Sequence, residues 1–166
     1  MTTEPTPRSN EIPPQIEEAQ QIENACRQIT TLRHHPLLLL YYPEPSGEMK
    51  EGDVRNCYQA FRTAGIDVAE PLPELDVLIH TFGGEPVAAY RLAQVIRDFA
   101  HDVTFLVPEY SYSAGTLLCF SGNRILLGHY AGLGPIDITV GDVELASIDY
   151  FSQFAKFATV QQHWIL

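Results

Sequence analysis

The chain is poor in positive charge. Ten lysines and arginines stand against 21 aspartates and glutamates, a formal net charge of −11. Non-specific nucleic-acid binding needs a basic patch against the phosphates, so this balance argues against that class of function. Lysine is scarcest: only Lys50 and Lys156 are present, so chemistry that needs a lysine has two candidates. Cysteine is rare as well. Cys26, Cys57 and Cys119 are odd in number and widely spaced among apolar neighbours, which reads as reduced core thiols. No CxxC or His/Cys grouping suggests a zinc site, and no metal is expected. No apolar run is long enough to span a membrane, and the N-terminus shows no secretory pattern. The expected compartment is the cytoplasm. A GxGxxG loop is also missing, so the diglycine Gly83-Gly84 does not read as a dinucleotide site.

What is there suits one globular domain. The 166 residues suffice to bury a core. Residues 1–14, rich in Thr, Pro, Glu and Ser, read as a disordered tail, and 15–166 as the domain. Ile16, Ala19, Ile22, Cys26, Ile29 and Leu32 recur at helical spacing and predict a helix over Pro14–Leu32. His34 and His35 follow it and read as solvated helix-end residues, since adjacent helical residues do not share a face. Leu37–Tyr42 reads as a strand buried on both faces. Asp53 reads as the N-cap of a second helix, with Val54, Cys57, Tyr58 and Phe61 as its apolar stripe, stopping near Gly65. A Pro-rich connection leads to a strand at Leu75–Thr81. Pro86 then fits a helix's first turn, with Ala88, Leu92, Val95, Ile96 and Phe99 inside. A third strand is expected at Val103–Val107 and a fourth at Arg124–Leu127. Gly132–Asp137 reads as turns, Ile138–Leu145 as a hairpin about Gly141-Asp142, and Asp149–Gln162 as a last amphipathic helix. Strand–helix alternation predicts an α/β fold of parallel βαβ units. In such sheets ligands bind at the carboxyl ends of the strands.

The segment Phe105–Phe120 stands out. It begins as a strand, breaks at Pro108 and resumes as an apolar helix from Ala114 to Phe120. Between them lies Tyr112-Ser-Ala-Gly-Thr116. A serine before two small residues, at a strand-to-helix turn, is where a nucleophile can be exposed. The helix N-terminus would offer unpaired N–H groups and the positive end of its dipole to an oxyanion. Read alone, Ser113 is more simply an N-cap. The diglycine supplies backbone that a substrate can approach without a side chain in the way. The N–H of Gly84 (or Gly83) with that of Ala114 would make a two-donor oxyanion hole.

Ile79-His-Thr-Phe-Gly-Gly84, a helix, a strand, Tyr112-Ser-Ala-Gly-Thr116 and Leu133-Gly-Pro-Ile-Asp137 together resemble the ClpP/crotonase-like serine peptidase superfamily. Within it the chain is most similar to the serine dehydrogenase proteinase family, related to signal peptide peptidase A and NfeD-type proteases. The resemblance runs over about Leu37–Gln161. It implies a spiral of ββα units, Ser113 as nucleophile, and Gly83 or Gly84 with Ala114 as the oxyanion and substrate-binding backbone. Phe82 departs from the family pattern, which usually has proline there. The chain also stops earlier than most members, which suggests a minimal or shortened form.

The resemblance bears on the base too. The ClpP branch places a histidine after the nucleophile helix, but here Pro135 aligns with it, and His129 sits at a turn. The signal-peptidase and NfeD branches use a lysine. Arginine cannot act as a base near neutral pH. Lys50 lies in a polar loop. Lys156, beside Phe154 and Phe157, lies in a stretch resembling the lysine helix of NfeD-type proteases. Apolar burial there would lower its pKa from about 10.4 and free it to accept a proton. Read from helix pattern alone, Lys156 is a snorkelling surface lysine. Ser111, Ser121, His80 and Glu85 read as structural or rim residues, and Asp137 as a turn residue or one that positions Lys156. The expectation is a serine endopeptidase with a Ser113–Lys156 dyad, no cofactor, a peptide substrate and a homo-oligomeric state through Phe151–Leu166. The competing expectations are a catalytically inactive binding or assembly module and crotonase-like acyl-CoA chemistry, for which the charge is unfavourable.

Overall fold

The structure is a computed structural model that describes residues 14–43, 47–134, 136, 139–140 and 143–144. It divides into two compact units, Met1–His34 and His35–Leu166. In the first, the helical periodicity produces α1, Pro14–Arg33. It ends where His34 takes a left-handed conformation, φ 60°, with its N–H bonded to the Thr30 carbonyl at 2.9 Å.

The second unit is built on four strands: β1 (Leu37–Tyr41), β2 (Leu72–His80), β3 (Ala100–Val107) and β5 (Arg124–Leu127). They lie in the order β1-β2-β3-β5, and every pairing is parallel. The crossovers carry α2 (Glu51–Thr63), α3 (Pro86–Phe99) and α4 (Ala114–Cys119). The α/β reading and the three neighbouring parallel strands are as the sequence predicts. A two-residue parallel pair, β4 (Tyr110–Ser111) with β6 (Gly132–Leu133), stands beside this sheet. An antiparallel pair, β7 (Thr139–Val140) with β8 (Val143–Glu144), falls where the hairpin is expected. No helix among the described residues is long and apolar enough to cross a membrane.

One face of the two central strands is wholly buried: Leu75, Val77 and Ile79 of β2, with Val103, Phe105 and Val107 of β3, are 0–2% exposed. On the other face Asp76 and Thr104 are buried too, whereas Leu78, His80 and Leu106 are only half-buried. From the helices come Val54, Cys57 and Phe61 of α2 and Leu92, Ile96 and Phe99 of α3. The Phe99 ring stacks on Phe61 at 4.6 Å and meets Tyr58 edge-on at 5.4 Å. Such pairs add about 0.5–1.5 kcal/mol beyond area burial. Every residue of α4 is buried, as expected of a helix apolar all round.

Several expectations need correction. β1 is an edge strand, not a strand buried on both faces: Leu40 is buried, whereas Leu39 and Tyr41 are 38% and 37% exposed. Asp53 is not an N-cap. It sits at the third helical position of α2, where its carboxylate accepts the N–H of the capping residue, Lys50, at 2.7 Å. β2 starts at Leu72, inside the Pro-rich connection. Pro73 is tolerated because β1 joins β2 only from Asp76 onward, so no ladder bond is lost on that side. His35 is not a solvated helix-end residue. Its Nε2 lies 3.0 Å from Glu74 and its Nδ1 3.5 Å from the buried Asp76. The tail, Asp137, Gly141-Asp142, Asp149–Gln162 and Phe151–Leu166 fall wholly or almost wholly outside the described residues.

Candidate active site

Two chain turns meet at the carboxyl ends of β2 and β3. The first follows β2. Thr81 bridges in parallel to Ser111, its N–H bonding the Tyr110 carbonyl at 3.3 Å and its carbonyl accepting the Tyr112 N–H at 3.0 Å. The Thr81 hydroxyl accepts the Gly83 N–H at 2.9 Å and donates to the Gly83 carbonyl at 3.2 Å. Gly83 and Gly84 have φ of 122° and 142°, a region that favours glycine. On the far side the Met49 backbone clamps the turn, its N–H to the Gly83 carbonyl and its carbonyl from the Glu85 N–H, both at 2.9 Å. A side chain on Gly84 would collide with that Met49 backbone.

The second turn carries Ser113. Its backbone is at φ 50°, ψ −121°, outside the regions an L-residue adopts readily. Ser113 occupies the N-cap position of α4, yet its side chain makes no capping hydrogen bond. An N-capping serine has extended backbone and a hydroxyl bonded to the first turn. Ser113 has neither, so capping does not explain it. Instead the Gly115 N–H bonds the Tyr112 carbonyl at 2.8 Å, leaving Ser113 at the apex, half-buried.

The two turns touch. A Cβ built on Gly83 would fall 2.8 Å from Ser113 Cβ and 3.3 Å from Ser113 Oγ. Only a glycine lets the backbone come this close. Gly83 has its N–H committed to Thr81, whereas the Gly84 N–H has no acceptor among the described residues. The Ala114 N–H is the first of α4 and has no acceptor within its own helix.

Residues that hold this arrangement escaped the sequence reading. Thr81, Ser111 and Thr116 are buried. The Thr116 hydroxyl donates to the Ser111 carbonyl at 2.6 Å, and the Cys119 thiol lies 3.5 Å from Ser111 Oγ. Burial pushes the Cys119 thiol up to about 12, partly opposed by that hydrogen bond. Small size at Gly115 was visible; that it admits the Thr81 methyl and the Ser111 hydroxyl was not.

The other candidates fall elsewhere. His80 lies between Tyr41 and Tyr110, at 5.3 and 4.2 Å between ring centroids, with Nδ1 3.6 Å from Glu109. His129 is exposed at a turn against Tyr130. The Ser121 hydroxyl donates to the Leu118 carbonyl at 2.7 Å. Lys50 is exposed, 3.9 Å from Glu48. Lys156 lies outside the described residues. A cavity of about 280 Å³ opens between β1 and α2, but its lining includes neither turn.

Two uncharacterized proteins of Methanocaldococcus jannaschii are similar to parts of this chain. One is 34% identical over 74 residues, 45% of this chain and 26% of its own length. The other is 32% identical over 79 residues, 48% of this chain and 27% of its own length. The matches thus span about a quarter of those relatives. Among solved structures, a ClpP1 mutant from Listeria monocytogenes aligns over 77% of this chain and 71% of its own, with 13% identity and a TM-score of 0.47. The sequence pattern of the ClpP-like SDH-type serine proteinases fits residues 49–157. That span is about two thirds of the chain and contains the diglycine turn, the serine turn and Lys156. By that match the chain belongs to the ClpP-like SDH-type serine proteinase family.

Proposed function

We propose that this protein is a serine endopeptidase, with Ser113 as nucleophile and Lys156 as general base. One observation carries the reading: Ser113 is held at φ 50° without a capping bond. Its side chain is set against the bare backbone of Gly83. Strain of this kind persists only where surrounding structure enforces it, and it clusters at functional sites. Family membership supports the same reading.

In the proposed reaction, a peptide lies as an extended strand near Gly84. Ser113 Oγ attacks the scissile carbonyl as its proton passes to neutral Lys156 Nζ. The N–H groups of Gly84 and Ala114 receive the oxyanion. Gly83, whose N–H is taken by Thr81, provides close approach rather than a bond. The intermediate collapses, Lys156 returns the proton to the leaving amine, and water repeats the sequence on the acyl-enzyme. These steps call for no metal or organic cofactor. Apolar neighbours in sequence, Phe154 and Phe157, suit a lysine that must be neutral near pH 7.

A fluorophosphonate probe tests the proposal, because only an activated serine labels. Wild type is expected to label at Ser113 and to hydrolyse peptide, and Ser113→Ala to do neither while remaining folded. Lys156→Arg keeps the charge but cannot accept the proton, so it should inactivate as fully as Lys156→Ala. Full activity in Lys156→Ala excludes the dyad. A folded, assembled wild type that does not label favours an inactive binding module.

A further inference from the structure

Beside the two turns lie three aromatic rings outside the buried core cluster. Phe82 precedes the diglycine, and Tyr112 precedes Ser113. Their ring centroids are 5.8 Å apart, edge to face. Both pack on Tyr110, at 4.4 Å and 5.2 Å. Tyr112 is fixed from its other side, because its ring lies on the Gly134 backbone, where a built Cβ would fall 2.6 Å from Tyr112 Cγ. Yet Phe82 is 44% exposed. Its two ring contacts hold it in place, and its open side stays in water. The ring presents a preformed apolar surface, one residue from the backbone that touches Ser113.

We propose that Phe82 is a specificity-determining residue. Supported by Tyr110 and Tyr112, it receives an aromatic side chain of the bound peptide, next to the bond that Ser113 addresses. The proposal rests on the peptidase reading for its occupant. The chemistry favours an aromatic over an aliphatic side chain. Aromatic rings gain from offset and edge-to-face contacts beyond the area they bury, whereas leucine gains the area alone. The shelf adjoins the serine turn through the chain: Phe82 is bonded to Gly83, whose backbone packs against Ser113, and Tyr112, which meets the Phe82 ring, is bonded to Ser113.

The test separates binding from chemistry. Blocked pentapeptides, acetyl-Ala-Ala-X-Ala-Ala-amide with X as Phe, Leu or Ala, are titrated by calorimetry into the full chain carrying Ser113→Ala. The Phe peptide is expected to bind about two- to twelvefold more tightly than the Leu peptide, the size of one aromatic pair. Adding Phe82→Leu, which keeps the area but removes the ring, should collapse that preference to near one. Phe82→Ala should also weaken the Leu peptide. No preference for Phe over Leu, a preference that survives Phe82→Leu, or no binding of any peptide overturns the proposal. Fluorophosphonate labelling of wild type reports separately on the peptidase reading. A protein that labels without the preference refutes only the shelf. One that shows the preference without labelling refutes only the hydrolysis.

Discussion

Ser113→Gly should make the protein more stable. Ser113 sits at φ 50°, ψ −121°, and a residue held in so sparsely populated a region costs about 1–3 kcal/mol. Glycine adopts that conformation freely. It brings a penalty of its own, about 0.4–1 kcal/mol, because the unfolded chain gains freedom. No capping bond is lost, since the Ser113 side chain makes none. The difference is a net gain of up to roughly 2.6 kcal/mol, about 1.3 kcal/mol at mid-range. For a chain of this size that is a melting-temperature rise of up to roughly 10 °C. Ser113→Ala is the control. Alanine keeps a Cβ and therefore the strain, so its stability should stay within about 0.5 kcal/mol of wild type. Urea unfolding of the three proteins, with a common slope, reads the difference from the midpoints. Both variants should lose fluorophosphonate labelling. If Ser113→Gly is no more stable than Ser113→Ala, the backbone at Ser113 is not strained, and its conformation does not mark a functional site.

Gly115→Ala sets a better helix former, worth about 1 kcal/mol, against a Cβ that would collide with the Thr81 methyl and lie 2.6 Å from Ser111 Oγ. Overpacking of about 1–3 kcal/mol should win, lowering the urea midpoint, and Thr81→Ser, which removes the methyl, should restore part of it. Asn123→Ala removes an oxygen that accepts Arg97 Nη1 at 2.6 Å and the Val103 N–H at 2.9 Å. A loss of about 1–3 kcal/mol is expected, and an unchanged urea midpoint would count against it. Burial pushes the Cys57 and Cys119 thiols from 9.0 up to about 12. The folded state therefore holds these protons more tightly than the unfolded chain. The stability they contribute is whole below pH 9.0 and is lost as pH rises towards about 12. Iodoacetamide at pH 8 should modify Cys26 in the native protein and reach Cys57 and Cys119 only after unfolding. Native modification of all three at similar rates would contradict that burial.

The sheet was legible because its strands are long enough to show a pattern. Leu75–Thr81 and Val103–Val107 are apolar runs with helical periodicity on both sides. The edge position of β1 was not legible: four consecutive leucines look the same at an edge and at a centre until pairing is known. β4 and β6 were missed because two residues carry no period, and Gly132–Leu133 reads as turn chemistry. At the site, the serine and the diglycine were visible as residue types, and so was the strand end that carries each. Their contact was not. It depends on the bridge between Thr81 and Ser111, two residues out of step with the β2–β3 ladder, and on the Thr81 hydroxyl, which satisfies both backbone groups of Gly83. A threonine at a strand end announces no such role.

The all-parallel sheet also sets when the site can exist. No neighbouring pair in β1-β2-β3-β5 is joined by a hairpin, so each pairing waits for a helical crossover to be made and docked. Topologies of this kind fold slowly, since long loops must close before contacts reward them. The β2–β3 ladder, with Val77 opposite Phe105 and Leu78 opposite Leu106, brings the two strand ends together, and the bridge of Thr81 to Ser111 in β4 then sets Gly83 against Ser113. A slip of one residue moves one strand end by about 3.3 Å along the other and turns its side chains to the opposite face. Correct pairing thus sets the turn: the hydrogen bonds that complete the fold at Thr81 and Ser111 are the ones that bring Gly83 against Ser113.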